Sequence, residues 1–213
     1  TAGFTNANSG IYGCIINGSG NTINGSGTFS FIANGMNNSI TNNRGFIGNG
    51  KNNSVSNQYG FIGGGGYNVA SSVRSTIVNG KTNTSSGLYS FIGNGRNNTA
   101  STTRSSVING LFSTASGVHS TVVNGLSNTA SANYSVVLGG NSNVSSGVYS
   151  LTHGYDNTAA FAHSAAIGKQ ATAGGTYQMV FAAGGGNTIK FDYLTGNGYF
   201  DGSSDLGNAD YAE

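Results

Sequence analysis

The run Gly80-Lys81-Thr82-Asn83-Thr84-Ser85-Ser86-Gly87-Leu88-Tyr89-Ser90-Phe91-Ile92-Gly93-Asn94, closed by Gly95, decides the fold. Gly80 and Gly95 are two points of a fifteen-residue grid that also carries Gly35, Gly50, Gly65, Gly110, Gly125 and Gly140. The register extends back to Gly18 and Gly3 and forward to Gly154 and Gly168. With the grid glycine as position zero, each unit holds two short strand-like segments, here Thr84-Ser85-Ser86 and Ser90-Phe91-Ile92. Segments this short do not stand alone; stacked turn on turn they form continuous parallel ladders around a shared core. The spacing predicts an all-β parallel β-roll or β-helix solenoid with coils of 14–15 residues over 1–183. At one strand spacing per coil the stack is about 55 Å long. A short C-terminal β-hairpin segment is expected over 184–213.

Position twelve (Ile15, Ile47, Ile62, Ile77, Ile92, Val107, Val122, Val137) reads as an inward column of β-branched residues. Position five shrinks along the chain from Ile23, Ile40 and Val55 to Ala70, Ser85, Ala100, Ala115, Ala130 and Ser145, and position ten is mostly serine. The core is therefore thin. Glycines at positions zero and seven are expected to take positive φ at the corners. Asn79, Asn94, Asn109 and Asn124, just before the grid glycine, are expected to tolerate left-handed geometry and stack their amides. Phe31, Phe46, Phe61 and Phe91 at position eleven, with Val78, Ile108, Val123 and Leu138 at thirteen, alternate away from the core. An apolar outer stripe of this kind predicts self-association, with a homotrimer the simplest closed bundle.

Three intervals depart from fifteen. Gly18 to Gly35 spans seventeen residues, which predicts an external bulge at Ser26-Gly27-Thr28. Gly140–Gly154 and Gly154–Gly168 span fourteen, with the loss expected at the asparagine corner.

Composition agrees with a solenoid and excludes other classes. The 213 residues include 37 glycines, no proline and 7% charged residues, and the net charge is +2. Collagen would need glycine at every third residue and proline. The regular return of apolar residues argues against disorder. No apolar stretch approaches the length of a membrane span, no signal-peptide pattern is read, and no membrane insertion is expected. The single Cys14 is expected to be a buried small hydrophobe.

Position nine carries the most distinctive chemistry: Arg44, Tyr59, Arg74, Tyr89 and Arg104 alternate, followed by His119, Tyr134, Tyr149, His163 and Tyr177, with Tyr12 at the start. Stacked one coil apart, Arg over Tyr gives cation–π contacts. The column reads as an inter-subunit or decorative ladder, or as a glycan-binding stripe in which aromatic faces stack on sugars and arginine donates to carboxylates. Eight basic residues do not form a phosphate track, so no nucleic-acid partner is expected. His119, His153 and His163 do not converge at ligand spacing, and no metal or cofactor is expected. Asp192 and Asp201 are placed facing each other across the C-terminal hairpin, with Gly196-Asn197-Gly198 as its turn, but no cleft accompanies them. Gly63-Gly64-Gly65-Gly66 and Gly184-Gly185-Gly186 lack the following Lys-Ser/Thr of a phosphate loop. No catalytic residue is assigned. Thr84, Thr99, Thr114 and Thr129 at position four raise ice binding, but their partners at six are mostly serine, not the threonine that a flat Thr-x-Thr face needs.

Asn128-Thr129-Ala130-Ser131-Ala132-Asn133-Tyr134-Ser135-Val136-Val137-Leu138-Gly139 and His163-Ser164-Ala165-Ala166-Ile167-Gly168 resemble the head repeats of trimeric autotransporter adhesins. That resemblance implies a left-handed parallel β-roll with three chains side by side. The family unit is usually fourteen residues ending Ser-x-Ala-x-Gly, which residues 154–168 fit best; most units here are longer and carry Ile or Val where the family prefers Ala. The ending Gly207-Asn208-Ala209-Asp210-Tyr211-Ala212-Glu213 resembles the start of the intramolecular chaperone of phage tail spikes and neck appendages, which guides trimerisation and then cuts itself off. The adhesin's coiled coil and barrel anchor do not occur in this stretch, which favours the phage reading. The expected function is a non-enzymatic structural and host-attachment segment of a phage tail fibre, located in the virion, with cell-surface glycan as a possible ligand. The alternative is a bacterial surface adhesin head, and a glycan-degrading tail spike fragment stands behind both.

Overall fold

A computed structural model describes residues 5–184, 187–194 and 197–201. It is all-β, with the parallel solenoid organisation expected from the glycine grid. Two sheets run the length of the stack. The first has twelve strands, from Ala7–Asn8 to Thr172–Ala173, all parallel. The second has fourteen, of which the last two pair antiparallel. Each coil contributes one strand to each sheet, such as Thr84–Ser85 and Phe91–Arg96. The register repeats by fifteen, with Thr84 opposite Thr99 and Ile92 opposite Val107.

The core is one row of side chains from each sheet. Position twelve faces position five, and Ile23, Ile32, Ile40, Ile47 and Val55 are fully buried. Downstream the pair shrinks through Ala100 and Val107 to Ala130 and Val137. The next coil is polar, with Ser145 and Thr152 buried in the same two places. It divides the apolar core into a long cluster ending at Val137 and a short alanine-rich one from Ala159 to Ala182. The position-ten serines are also buried, and their hydroxyls close the corner: Ser90 Oγ donates to the Gly87 carbonyl at 2.7 Å and accepts the Gly87 N–H at 3.1 Å.

A buried asparagine column at position three binds one coil to the next. Each Oδ1 accepts the backbone N–H of its counterpart, from Asn38 to Asn53, Asn53 to Asn68 and Asn68 to Asn83, each at 3.0 Å. Each Nδ2 donates to the grid-glycine carbonyl of the following coil, as from Asn83 to Gly95 at 2.9 Å. The corner asparagines expected to do this do not: Asn79, Asn94, Asn109 and Asn124 keep negative φ, and their one amide-to-amide contact is Asn109 to Asn124 at 3.3 Å, exposed. Position three prevails because it is dry. There an amide must satisfy both its groups, and only the neighbouring coils can do so.

The corners also differ from expectation. Position-zero glycines other than Gly110 take positive φ, from 92° at Gly65 to 128° at Gly35, but position-seven glycines do not. Gly87, Gly117 and Gly147 are required for space: a Cβ there would overlap the carbonyl of Thr102, Ala132 or Phe161 in the next coil. The left-handed corner residues lie instead at positions two and nine. Every non-glycine residue with positive φ among the described residues, from Thr5 to Tyr177, belongs to one of those two columns. The conformation turns the corner N–H backward along the stack, from Tyr89 to the Val73 carbonyl at 3.1 Å and from Asn97 to the Lys81 carbonyl at 3.0 Å. Strand amides point forward, as from Thr84 to Asn98 at 2.8 Å.

The irregular coils are accommodated close to where the spacing placed them. The two added residues fall in the exposed segment Asn24-Gly25-Ser26, while Gly27 is buried at position seven, so the bulge begins before Ser26. The fourteen-residue coils omit the residue equivalent to Leu138: Val137 pairs with Thr152 and Gly139 with His153. The loss is therefore at position thirteen, beside the asparagine corner. An outward side chain leaves there without disturbing the core.

Cys14 is exposed, contrary to expectation. It occupies position eleven opposite Phe31, and Ile15 takes the inward place. Position eleven is an outward column, so a thiol there meets the outside of the tube.

At the far end the strand Gln178–Gly184 pairs parallel with Ala165–Lys169 and antiparallel with Asn187–Asp192, which pairs antiparallel with Asn197–Asp201. Asp192 is opposite Asn197 and Asp201 opposite Thr188, so the two carboxylates do not face one another. Asn197 and Gly198 belong to the last strand, not to the turn. The chaperone-like run Gly207–Glu213, with Asp205, lies outside the described residues, as do Gly185 and Gly186.

Candidate functional site

The position-nine column forms a stacked ladder along one corner of the solenoid. Because each member repeats the same left-handed conformation, with φ between 55° and 59°, its side chain leaves the backbone in the same direction in every coil. The Arg44 guanidinium carbon lies 5.3 Å from the Tyr59 ring centre, and Arg74 lies between Tyr59 at 5.1 Å and Tyr89 at 5.2 Å. Arg104 covers the other face of Tyr89 at 5.6 Å. Further along, His119 stacks on Tyr134, Tyr134 on Tyr149, Tyr149 on His163 and His163 on Tyr177, with centroids 4.8–5.1 Å apart and planes within 13° of parallel.

Hydrogen bonds fix the arginine part. Arg44 Nη1 donates to the Tyr59 hydroxyl at 2.9 Å, and Arg74 Nη1 to the Tyr89 hydroxyl at 2.6 Å. Arg44, Arg74 and Arg104 are exposed, and no ion pair with a carboxylate is present for them among the described residues. The ladder runs through Phe29, which stacks on Tyr12 at 5.0 Å and lies 5.8 Å from the Arg44 guanidinium carbon. Sequence reading missed Phe29 because the two-residue insertion moves it off the fifteen-residue grid. Counting back from Ser30 as a position-ten residue would have found it.

The stacking decides which chemistry is presented. Ring faces turn along the solenoid axis and are covered by the neighbouring coils. A ligand beside the ladder therefore meets ring edges, phenol hydroxyls and guanidinium N–H groups. Face-on stacking of a sugar, anticipated for these tyrosines, has no room within the column.

Position two is the informative comparison. It has the same backbone conformation at the opposite corner, yet it accepts Asn37, Asn52, Thr82, Ser127, Asp156 and Gln170 as well as Tyr67 and Phe112. Left-handed geometry alone thus does not demand planar π groups. Position nine holds only Arg, Tyr, His and Phe.

The three histidines are not brought together. His119 and His163 are separate rungs of the ladder, and His153 is on the second sheet's outer surface. No group of three His, Cys, Asp or Glu residues is close enough to hold a metal ion among the described residues. No helix there is long and apolar enough to cross a membrane, which leaves β-barrel insertion untouched.

Fold and surface together define a parallel β-solenoid repeat protein, an architecture suited to a fibrous or adhesive role. No family model matches the chain, and no curated protein matches it.

Proposed function

We propose that the chain is a structural fibre and host-surface attachment segment of a phage tail fibre or appendage. It acts as a homotrimer of left-handed β-rolls, resides in the virion and has no enzymatic activity. The observation that carries this reading is the outer face of the second sheet. Val78, Ile108 and Leu138 are 45–48% exposed there, and Phe31, Phe46 and Phe61 stack in a column beside them, at 5.6 and 5.1 Å. A tube whose core is one row wide gains little from internal burial, so covering this face supplies apolar area that the single chain lacks. The resemblance of Gly207–Glu213 to a phage chaperone start supports the phage source. The fourteen-residue pairing of Ala165–Lys169 with Leu151–Tyr155 supports the second reading, a bacterial adhesin head.

Multi-angle light scattering at low micromolar concentration tests the assembly, with a trimer expected and a monomer overturning it. Immunogold labelling with antibody to the purified chain tests the source. Label on virion appendages supports the first reading and label on bacterial cells the second.

A further inference from the structure

We propose that the corner formed by Arg44, Tyr59, Arg74, Tyr89 and Arg104 binds a linear acidic polysaccharide that carries a carboxylate on every second sugar. The inference rests on reading the chain as an attachment segment, and it names the ligand class.

Three observations lead to it. First, the cations are free to act outward. Each guanidinium is exposed, packed against aromatic rings and without a carboxylate among the described residues. Stacking alone does not call for charge, since Tyr134 and Tyr149 stack equally well without any. Second, the donors are arranged before a ligand arrives. Arg44 and Arg74 each give one N–H to the next tyrosine hydroxyl, at 2.9 and 2.6 Å. That hydroxyl, used as an acceptor, keeps its own hydrogen for a group outside. Holding a long side chain in place beforehand removes part of the ordering cost of binding. Third, the period fits. Arginines recur every second coil, which at one strand per coil places them about 9–10 Å apart, with a tyrosine hydroxyl midway. A sugar in an extended polysaccharide advances by about 5 Å, close to one coil, so carboxylates on alternate sugars meet successive guanidinium groups. The sugar between them offers its hydroxyls to the phenol.

The remaining ladder, from His119 to Tyr177, lacks the alternation and has no fixed positive charge. The binding segment therefore ends near Arg104. The opposite corner carries Lys51, Lys81 and Arg96 in one backbone-paired column, without stacked rings holding them. It serves as an internal control for unspecific attraction.

The test is calorimetric titration of the full chain with hyaluronan oligosaccharides, which carry a carboxylate on alternate sugars. Polygalacturonate, with one on every sugar, and neutral dextran are the comparison probes. Hyaluronan binding, no dextran binding and weaker polygalacturonate binding are expected. Arg74→Gln and, separately, Arg104→Gln should weaken hyaluronan by roughly ten- to a hundredfold, the loss of a charge-assisted contact. Lys81→Gln should leave it unchanged. No hyaluronan binding, equal or tighter binding of polygalacturonate, or an equal loss in Lys81→Gln would overturn the proposal. Light scattering on the same samples separates the two questions: a trimer that does not bind overturns the ligand alone, and a monomer that binds overturns the assembly alone.

Discussion

Asn68 Oδ1 accepts the backbone N–H of Asn83, one coil further on, at 3.0 Å, and Asn83 Oδ1 does the same for Asn98. Both side chains are fully buried. Coil-to-coil attachment on this side thus runs through a file of amides in a dry interior, where an unmet hydrogen-bonding group is costly.

Asn83→Ala leaves the Asn98 N–H and the Gly95 carbonyl each without its side-chain partner. It should cost about 2–3 kcal/mol, read as a lower denaturant midpoint. Asn83→Ser should cost less, since the native Ser113 keeps a longer bond of 3.4 Å to the Asn128 N–H. Equal losses for the two variants would refute the side-chain account.

Thr152 occupies the inward column between Val137 and Ala166, and its Oγ1 is buried with no hydrogen-bond partner. Thr152→Val replaces that hydroxyl with a methyl group of nearly the same volume. Stability should rise by about 1 kcal/mol, measured by thermal or urea unfolding. A fall would show that the hydroxyl is satisfied in solution.

Gly117 lacks a positive φ, so a conformational argument predicts that alanine is harmless there. Space predicts the opposite, because a Cβ would overlap the Ala132 carbonyl, which is backbone and cannot swing aside. Gly117→Ala should destabilise by roughly 2 kcal/mol or more through forced separation of two coils. Unchanged stability would show that the coils can part at no cost.

Phe91→Asp and Val123→Asp place charge on the second sheet's outer face, and Tyr89→Ala alters the ladder corner. The first two should shift light scattering toward monomer at concentrations where Tyr89→Ala remains assembled. Equal effects would mean that the ladder corner is itself an interface.

The glycine grid made the coil, the two strands per coil and the inward columns at five and twelve legible, because each is a strict period in side-chain size. The Ile92 and Ala100 columns needed no further information. The asparagine column was equally periodic but was passed over for Asn79 and its equivalents. Sequence shows where an amide recurs; only the fold shows which recurrence is dry. The same holds for glycine. Gly80 and Gly87 look alike in sequence, yet one is needed for its φ and the other for the neighbour it touches. Alternation of glycine at position seven with Thr102, Ala132 and Phe161 was a readable sign of that pairwise contact. Stacking of Arg and Tyr was legible from spacing, but the direction of the rings was not, since it depends on a left-handed backbone that neither residue type favours.

Reversal of the chain after Gln178–Gly184 gives the two ends of the stack different characters. A purely parallel stack ends in open strand edges that match the edges at its start, which invites head-to-tail polymerisation. Here the second sheet continues through the antiparallel strand Asn187–Asp192 to Asn197–Asp201, so its last described strands break the parallel pairing that begins at Cys14–Ile15. Copies can still lie side by side, but parallel growth of this sheet past its antiparallel strands is disfavoured.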